Sequence, residues 1–172
     1  MQVRLRPMTD VEYDAFIDDS RRSYAAQIAA GGTVSAAAAR AKAESDLARL
    51  LPAGRATAGH LFLRATDEGE EPVGHVWLAL QGPGAAADSA WVYDVEVVGA
   101  LRGRGYGRAI MEQAEQEARS RGVGRIGLNV FGFNTTAIEL YRSLGYQVTA
   151  MQMTKALERG ESGDERRDEA GG

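Results

Sequence analysis

The chain of 172 residues contains no cysteine, and this absence excludes several kinds of site at once. Disulfide bonds, thiolate ligands for a metal ion and a cysteine nucleophile all need a thiol. Histidine occurs only twice, at His60 and His75, and the two lie at no metal-ligand spacing, so we interpret both as structural residues. The sequence therefore predicts neither a metal site nor a thioester-forming thiol.

Long apolar runs and an excess of positive charge are also missing. No run approaches the roughly 18 apolar residues that a membrane span needs, and the N-terminal residues contain no apolar segment typical of a signal peptide. We therefore expect a cytoplasmic protein that does not enter a membrane. The net charge is −4, so nothing indicates a nucleic acid partner. The Gly-x-Ser-x-Gly pattern of hydrolases and the Gly-Lys-Ser/Thr pattern of P-loop enzymes are absent as well.

The most informative stretch runs from Val95 to Met111. It begins as an alternating apolar run, turns through the letters RGRGYG at residues 102–107, and continues with apolar residues at helical spacing. The free N–H groups and the positive dipole end of a helix after such a turn favour a phosphate. Three arginines, Arg102, Arg104 and Arg108, strengthen this preference. The stretch therefore predicts a site for a phosphate-bearing small molecule.

The remaining patterns predict one α+β domain over residues 1–156, followed by a charged, glycine-rich and disordered tail over 157–172. The predicted elements are a strand around Val3 and Leu5, a helix after a capping box at Thr9 and Glu12, a helix over 35–51, strands over 60–65, 72–80 and 91–98, a helix over 107–121, a strand over 125–131, a helix capped by Asn134, and a strand over 146–154. The order β-α-α-β-β-β-α-β-α-β predicts a mixed α/β arrangement. Its sheet should be mainly antiparallel, with one parallel pair where the helix over 107–121 crosses over.

Two sequence blocks in this order resemble the GCN5-related N-acetyltransferase (GNAT) family. The acetyl-CoA signature of that family, Gln/Arg-x-x-Gly-x-Gly/Ala, is matched by the turn, and a second family pattern follows about thirty residues later. The matching residues are Arg102, Gly105 and Gly107 in the first block, and Asn134, Ala137, Tyr141, Gly145 and Tyr146 in the second. The stretch from Tyr93 to the turn, and the letters LNVFGFN at 128–134, look like a bacterial subgroup of uncharacterised acetyltransferases. The resemblance covers residues 1–156 and implies a splayed central sheet flanked by helices.

The resemblance implies how acetyl-CoA would be held. In the family, the strand before the turn separates from its neighbour, and its free backbone groups pair with the pantetheine arm of the cofactor. An N–H group there would also polarise the thioester carbonyl. The turn would hold the pyrophosphate, and the asparagine of the second block would contact the pantetheine or phosphate region. The cofactor-binding residues implied in this way are Val97, Val98, Arg102, Gly103, Arg104, Gly105, Tyr106, Gly107, Arg108 and Asn134.

Transfer of an acetyl group to an amine also needs a base and an acid. A primary amine has a pKa of about 10.4, so a carboxylate near the nucleophile is useful. Glu96, ranked first, and Asp94, ranked second, share one face of the strand before the turn, with Tyr93 expected on the other face. A local splay or a bulge could bring either face into the cleft. Tyr141 matches the tyrosine of the family that protonates the leaving thiolate. It also fits an ordinary core stripe of its helix.

The sequence therefore predicts an N-acetyltransferase that moves the acetyl group of acetyl-CoA to a primary amine by direct attack. The acceptor, a small molecule or a peptide or protein, is not identified by any motif, and a homodimer is a guess from the family alone. The alternative is a regulatory or structural module that binds coenzyme A and whose acceptor site has decayed. A dinucleotide-dependent oxidoreductase is disfavoured, because the turn reads G-x-G-x-G and no acidic residue ends a strand about 20 residues later.

Overall fold

The computed structural model describes residues 2–30, 34–81, 88–153 and 155. Five strands form one sheet in which the spatial order equals the sequence order. The strands are β1 (Arg4–Pro7), β2 (His60–Thr66), β3 (Pro72–Ala79), β4 (Ser89–Val97) and β5 (Arg125–Leu128). The first four strands pair antiparallel, whereas β4 and β5 pair parallel. The prediction of a mixed, mainly antiparallel sheet is confirmed.

Four helices flank this sheet, and two of them begin at the caps that the sequence predicts. In the capping box, Glu12 N–H donates to Thr9 Oγ1 over 3.2 Å, and Thr9 N–H donates to Glu12 Oε2 over 2.9 Å. Asn134 Oδ1 accepts from Ala137 N–H at the start of the last helix. The helices are α1 (Asp10–Ala30), α2 (Ala36–Leu50), α3 (Tyr106–Ser120) and α4 (Thr135–Ser143).

The two faces of the sheet carry two separate cores. On one face α3 inserts a stripe of buried side chains, among which Ile110 and Met111 have no exposed surface. On the other face α1 and α2 cover an aromatic cluster that contains Phe16 of α1, Phe62 of β2 and Trp77 of β3. Burying apolar surface on both faces fixes the sheet between its helices. The face of any residue of β4 therefore decides which core it joins.

The C-terminal part of the fold differs from the sequence prediction. The strand predicted over 125–131 ends at Leu128, and Phe131 and Phe133 beyond it stack on each other at 5.2 Å in exposed positions. The last predicted strand is wrong for its described residues, since Tyr146–Met153 join no strand. Tyr146 packs against the core of α3, but residues 147–153 are exposed, so the strand propensity is not realised. The predicted tail over 157–172 and Thr154 lie outside the described residues.

One ion-pair network ties the start of α1 to the sheet. The Glu12 carboxylate accepts two bonds of 2.7 Å from Arg6 of β1 and one of 3.2 Å from Arg64 of β2. The bonds from Arg6 hold the pKa of the Glu12 carboxyl far below its usual value, and the bonds from Thr9 lower it further. Since the folded-state pKa is depressed, this stabilisation is present above the unfolded pKa of about 4.3 and is lost as the pH falls.

Glu12→Gln therefore tests this network. Glutamine keeps the capping geometry but removes the charge that Arg6 and Arg64 bind. At about pH 7 we expect the free energy of unfolding to fall by about 1 kcal/mol, and the gap to the wild type to narrow towards about pH 3. Urea unfolding followed by circular dichroism measures it. Glu44→Gln, on the exposed surface of α2, is the matched control. If the difference in the free energy of unfolding between Glu12→Gln and the wild type stayed constant over this pH range, the charge of Glu12 would not be its cause.

Candidate active site

The candidate site begins where β4 and β5 separate. Their parallel pairing runs from Ser89 and Arg125 to Val92 and Leu128, and it stops there. Strand β4 continues to Val97. Residues 93–97, which we call the open edge, therefore have no strand partner among the described residues on the side that β5 leaves. A strand edge of this kind presents N–H and C=O groups to an extended ligand.

A β-bulge at Tyr93 opens the same region. Between β3 and β4, Leu78 is opposite Val92 and Trp77 is opposite Asp94, so Tyr93 is one residue in excess. Its ring stacks on that of Trp77, with 4.7 Å between the centroids. The expectation that Tyr93 lies on the face opposite Asp94 is therefore wrong, because the extra residue interrupts the alternation of the strand.

The backbone groups at the end of β4 are divided between two sides. Val98 N–H donates to Val73 O over 2.9 Å, and Val98 O accepts from Leu101 N–H over 2.8 Å. Both backbone groups of Val98 are thus engaged, so the structure does not support Val98 as a donor to a ligand. Since alternate residues of a strand direct their N–H groups to opposite sides, Val97 N–H faces the open edge. Val97 O lies on that side too, where it accepts from Arg102 Nε.

The glycines of the turn leave the start of α3 accessible. Gly103 and Gly105 have φ angles of 74° and 88°, which side chains disfavour, and a Cβ on either would meet no atom within 4 Å. Gly105 is the N-cap residue of α3 and offers no side chain, so the first N–H groups of the helix lack an intrahelical acceptor and a side-chain cap. Free N–H groups and a helix dipole in this arrangement favour an anion such as a phosphate group.

The three arginines of the turn have different roles. Arg102 donates to Glu96 over 2.8 Å as well as to Val97 O, so its guanidinium is held beside the open edge. Arg108 donates to Ser143 Oγ over 2.6 Å and thereby links α3 to α4. Arg104 is exposed. The positive charge is therefore spread around the start of α3 and is not gathered on one side chain.

Helix α4 lies against the turn and brings Tyr141 to the site. A Cβ on Gly107 would be 3.2 Å from Leu140 of α4, so the glycine permits the close approach of the two helices. Tyr141 is half-buried against the core that α3 forms, and its ring is 5.7 Å from that of Tyr146. Burial raises the pKa of the Tyr141 hydroxyl, and the negative charge of Asp94 raises it further. That hydroxyl stays protonated at neutral pH.

The two candidate carboxylates lie in different surroundings. Glu96 forms an ion pair with Arg102 in which both side chains are largely exposed. Asp94 instead has its Oδ2 atom 3.2 Å from Nε2 of His75, a residue of β3. The sequence reasoning did not connect His75 with Asp94. Its only signal was parity: the aliphatic residues of β4 occupy even positions up to Val92 and odd positions from Val95. This shift marks a bulge and puts the carboxylates on the face of His75.

His60 has a different environment, within the aromatic cluster. Its Nδ1 atom accepts from Nε1–H of Trp77 over 2.9 Å, and burial lowers the pKa of the ring. Within the described ranges, no group of three His, Asp or Glu side chains is placed to hold a metal ion. Over the same ranges, no helix has the length and apolar character to span a membrane.

The architecture and the turn are those of an N-acetyltransferase fold. The structure superimposes on that of the acetyltransferase YycN from Bacillus subtilis with a TM-score of 0.83, at 28% identity, over 92% of this chain and all of that one. The sequence of residues 33–146 matches the acetyltransferase (GNAT) family. The chain therefore belongs to the GNAT family.

Curated relatives agree with this assignment. The uncharacterised N-acetyltransferase YdgE of Bacillus subtilis (strain 168) is 32% identical over 157 residues, which are 91% of this chain and 99% of YdgE. Streptothricin acetyltransferase of Streptomyces lavendulae is 37% identical over 90 residues, or 46% of this chain and 48% of that enzyme. The full-length similarity is thus to proteins whose acceptors their names do not state.

Gly105→Glu tests the anion site at the start of α3. The substitution places a carboxylate beside the free N–H groups, so we expect acetyl-CoA to bind about tenfold more weakly or worse by calorimetric titration. Gly122→Glu is the matched control, because Gly122 also has a positive φ of 77° and open space, at the opposite end of α3. Equal affinities of the two folded variants would place the anion elsewhere.

Proposed function

We propose that this protein transfers the acetyl group of acetyl-CoA to a primary amine by direct attack. The observation that carries the proposal is the continuity of the open edge of β4 with the uncapped start of α3. An extended arm with a pyrophosphate at one end needs this combination of strand-like pairing and an anion site. Membership of the GNAT family supports the same reading.

The main chain would position the cosubstrate in two places. Val97 N–H, directed to the open edge, donates a hydrogen bond to the pantetheine arm or to the thioester carbonyl, where it opposes the negative charge that develops during attack. The first N–H groups of α3 bind the pyrophosphate, and Arg104 adds a mobile positive charge. Both sets of donors belong to rigid elements of the fold, so little ordering is needed when the ligand binds.

The reaction then requires two proton transfers. The amine nitrogen attacks the thioester carbonyl, a C–N bond forms, and the C–S bond breaks as the thiolate leaves. Tyr141 donates its hydroxyl proton to that thiolate, because burial beside Asp94 keeps the phenol protonated at neutral pH. A carboxylate of β4 takes the proton that the amine loses. Of the two, Asp94 is the one not held by an arginine.

The acceptor class follows less directly from the site. The similarity to streptothricin acetyltransferase makes streptothricin one candidate, and this similarity covers about half of the chain. Polyamines, amino acids and lysine-containing peptides are the other amines to include. The competing function, a module that binds coenzyme A without catalysis, predicts the same cofactor affinity but no turnover.

Calorimetric titration with acetyl-CoA, NAD and ATP tests the cofactor, and a thiol assay with a panel of amines tests the reaction. We expect micromolar affinity for acetyl-CoA alone and amine-dependent release of free coenzyme A. Because the chain has no cysteine, a thiol reagent reports only on the product. Binding without release for any amine would favour the non-catalytic module. No binding by the folded protein would contradict both functions.

Tyr141→Phe separates a catalytic hydroxyl from a packing role. Phenylalanine keeps the contacts of the ring with the core and removes only the proton donor. We expect kcat to fall by about a hundredfold while the affinity for acetyl-CoA changes by less than about twofold. Tyr146→Phe, at the neighbouring ring, is the control and should leave kcat close to that of the wild type. Equal kcat values for the two variants would show that Tyr141 has only a packing role.

A further inference from the structure

His75 and Asp94 form a pair at the point where the open edge begins. His75 Nε2 lies 3.2 Å from Asp94 Oδ2, and the side chain of His75 is only 16% exposed whereas that of Asp94 is 41% exposed. The imidazole is wedged against Phe16 of α1, with 5.0 Å between the ring centroids. The histidine is thus fixed from behind, while the carboxylate it contacts is accessible to a ligand.

The other charged groups around His75 already have partners. On β4, the residue opposite His75 is Glu96, which forms an ion pair with Arg102. On β2, the residue opposite His75 is Arg64, which donates a hydrogen bond to Glu12 of α1. On the side of α4, the group that interacts with Asp94 is the hydroxyl of Tyr141, which is neutral at neutral pH. Within the described residues, Asp94 is therefore the carboxylate that contacts His75, and His75 is the basic side chain that contacts Asp94.

We propose that His75 is a positioning residue for acetyl transfer. It holds Asp94 in the orientation in which the carboxylate accepts the proton of the acceptor amine. The proposal rests on the proposed function and adds a residue that does not itself touch the substrate.

The geometry assigns a separate task to each oxygen of Asp94. In the tautomer with its proton on Nε2, His75 donates to Oδ2, which leaves Oδ1 for the amine or for a water that contacts it. As the amine attacks the thioester, its nitrogen gains positive charge, and one N–H proton moves to Oδ1.

Histidine NMR provides a test of the pair that needs no acceptor. The chain has two histidines, so two imidazole signals are expected, and His75→Gln identifies one of them by its loss. We expect Asp94→Asn to shift the ring signals of His75, because the hydrogen bond between the ring and the carboxylate is changed. The signal of His60, which bonds to Trp77, should not move. Unchanged signals of His75 would overturn the pairing.

The rate of coenzyme A release, with the amine of the panel that supports turnover, tests the catalytic consequence. Glutamine at position 75 keeps an N–H donor, so we expect His75→Gln to retain most of the wild-type kcat. His75→Ala, which removes the donor, should lower kcat by about tenfold with little change in the affinity for acetyl-CoA. His60→Gln is the matched control and should keep the wild-type kcat.

Each outcome has a distinct meaning. A kcat for His75→Gln as low as that of His75→Ala would overturn the proposal, because an N–H donor at this position would then not restore the rate. A kcat for His75→Ala within about twofold of the wild type would do the same. If no amine supports release of coenzyme A, the proposed function fails first and this role falls with it, whereas the NMR result would still describe the pair.

Discussion

Backbone pairing between β4 and β5 holds these strands together only from Ser89 to Val92, and the remainder of the candidate site depends on where it stops. Beyond that point β4 stays paired to β3 on one side and, among the described residues, has no strand partner on the other. The same strand then leads into the turn before α3. A ligand can thus be bound as if it were a sixth strand, with its charged end at the start of a helix.

The packing of α3 makes this arrangement rigid. Ile110 and Met111 are completely buried against the sheet, so the helix cannot shift without opening the core. Its first N–H groups therefore keep a fixed position relative to the open edge. Gly107 allows α4 to approach closely, and Arg108 bonds to Ser143 of that helix. Donors held in place by the core need no reorganisation when negative charge arrives, and this is the condition under which they stabilise it most.

Local signals in the sequence predicted much of this structure. The capping box at Thr9 and the helical stripe of α3 depend on residues only a few positions apart, and both are present. The final strand was predicted wrongly because a strand needs a partner, and strand propensity over residues 146–153 does not supply one. The contact between His75 and Asp94 depends on the register of β3 and β4, which a long connection joins. Local pattern does not fix such a register, although the shift of apolar parity around Tyr93 recorded the bulge.

That shift of parity also indicates how strand β4 is related to a regular strand. If Tyr93 is left out, the residues from Ala90 to Val97 alternate regularly, with valines towards α3 and the two carboxylates towards α1. Strand β4 thus reads as an ordinary amphipathic strand into which a single residue has been inserted. An insertion of this kind leaves every apolar side chain in its core, so it is far less disruptive than a slip of the whole strand. The added residue thus lies where the part of β4 that pairs with β5 ends and the open edge begins.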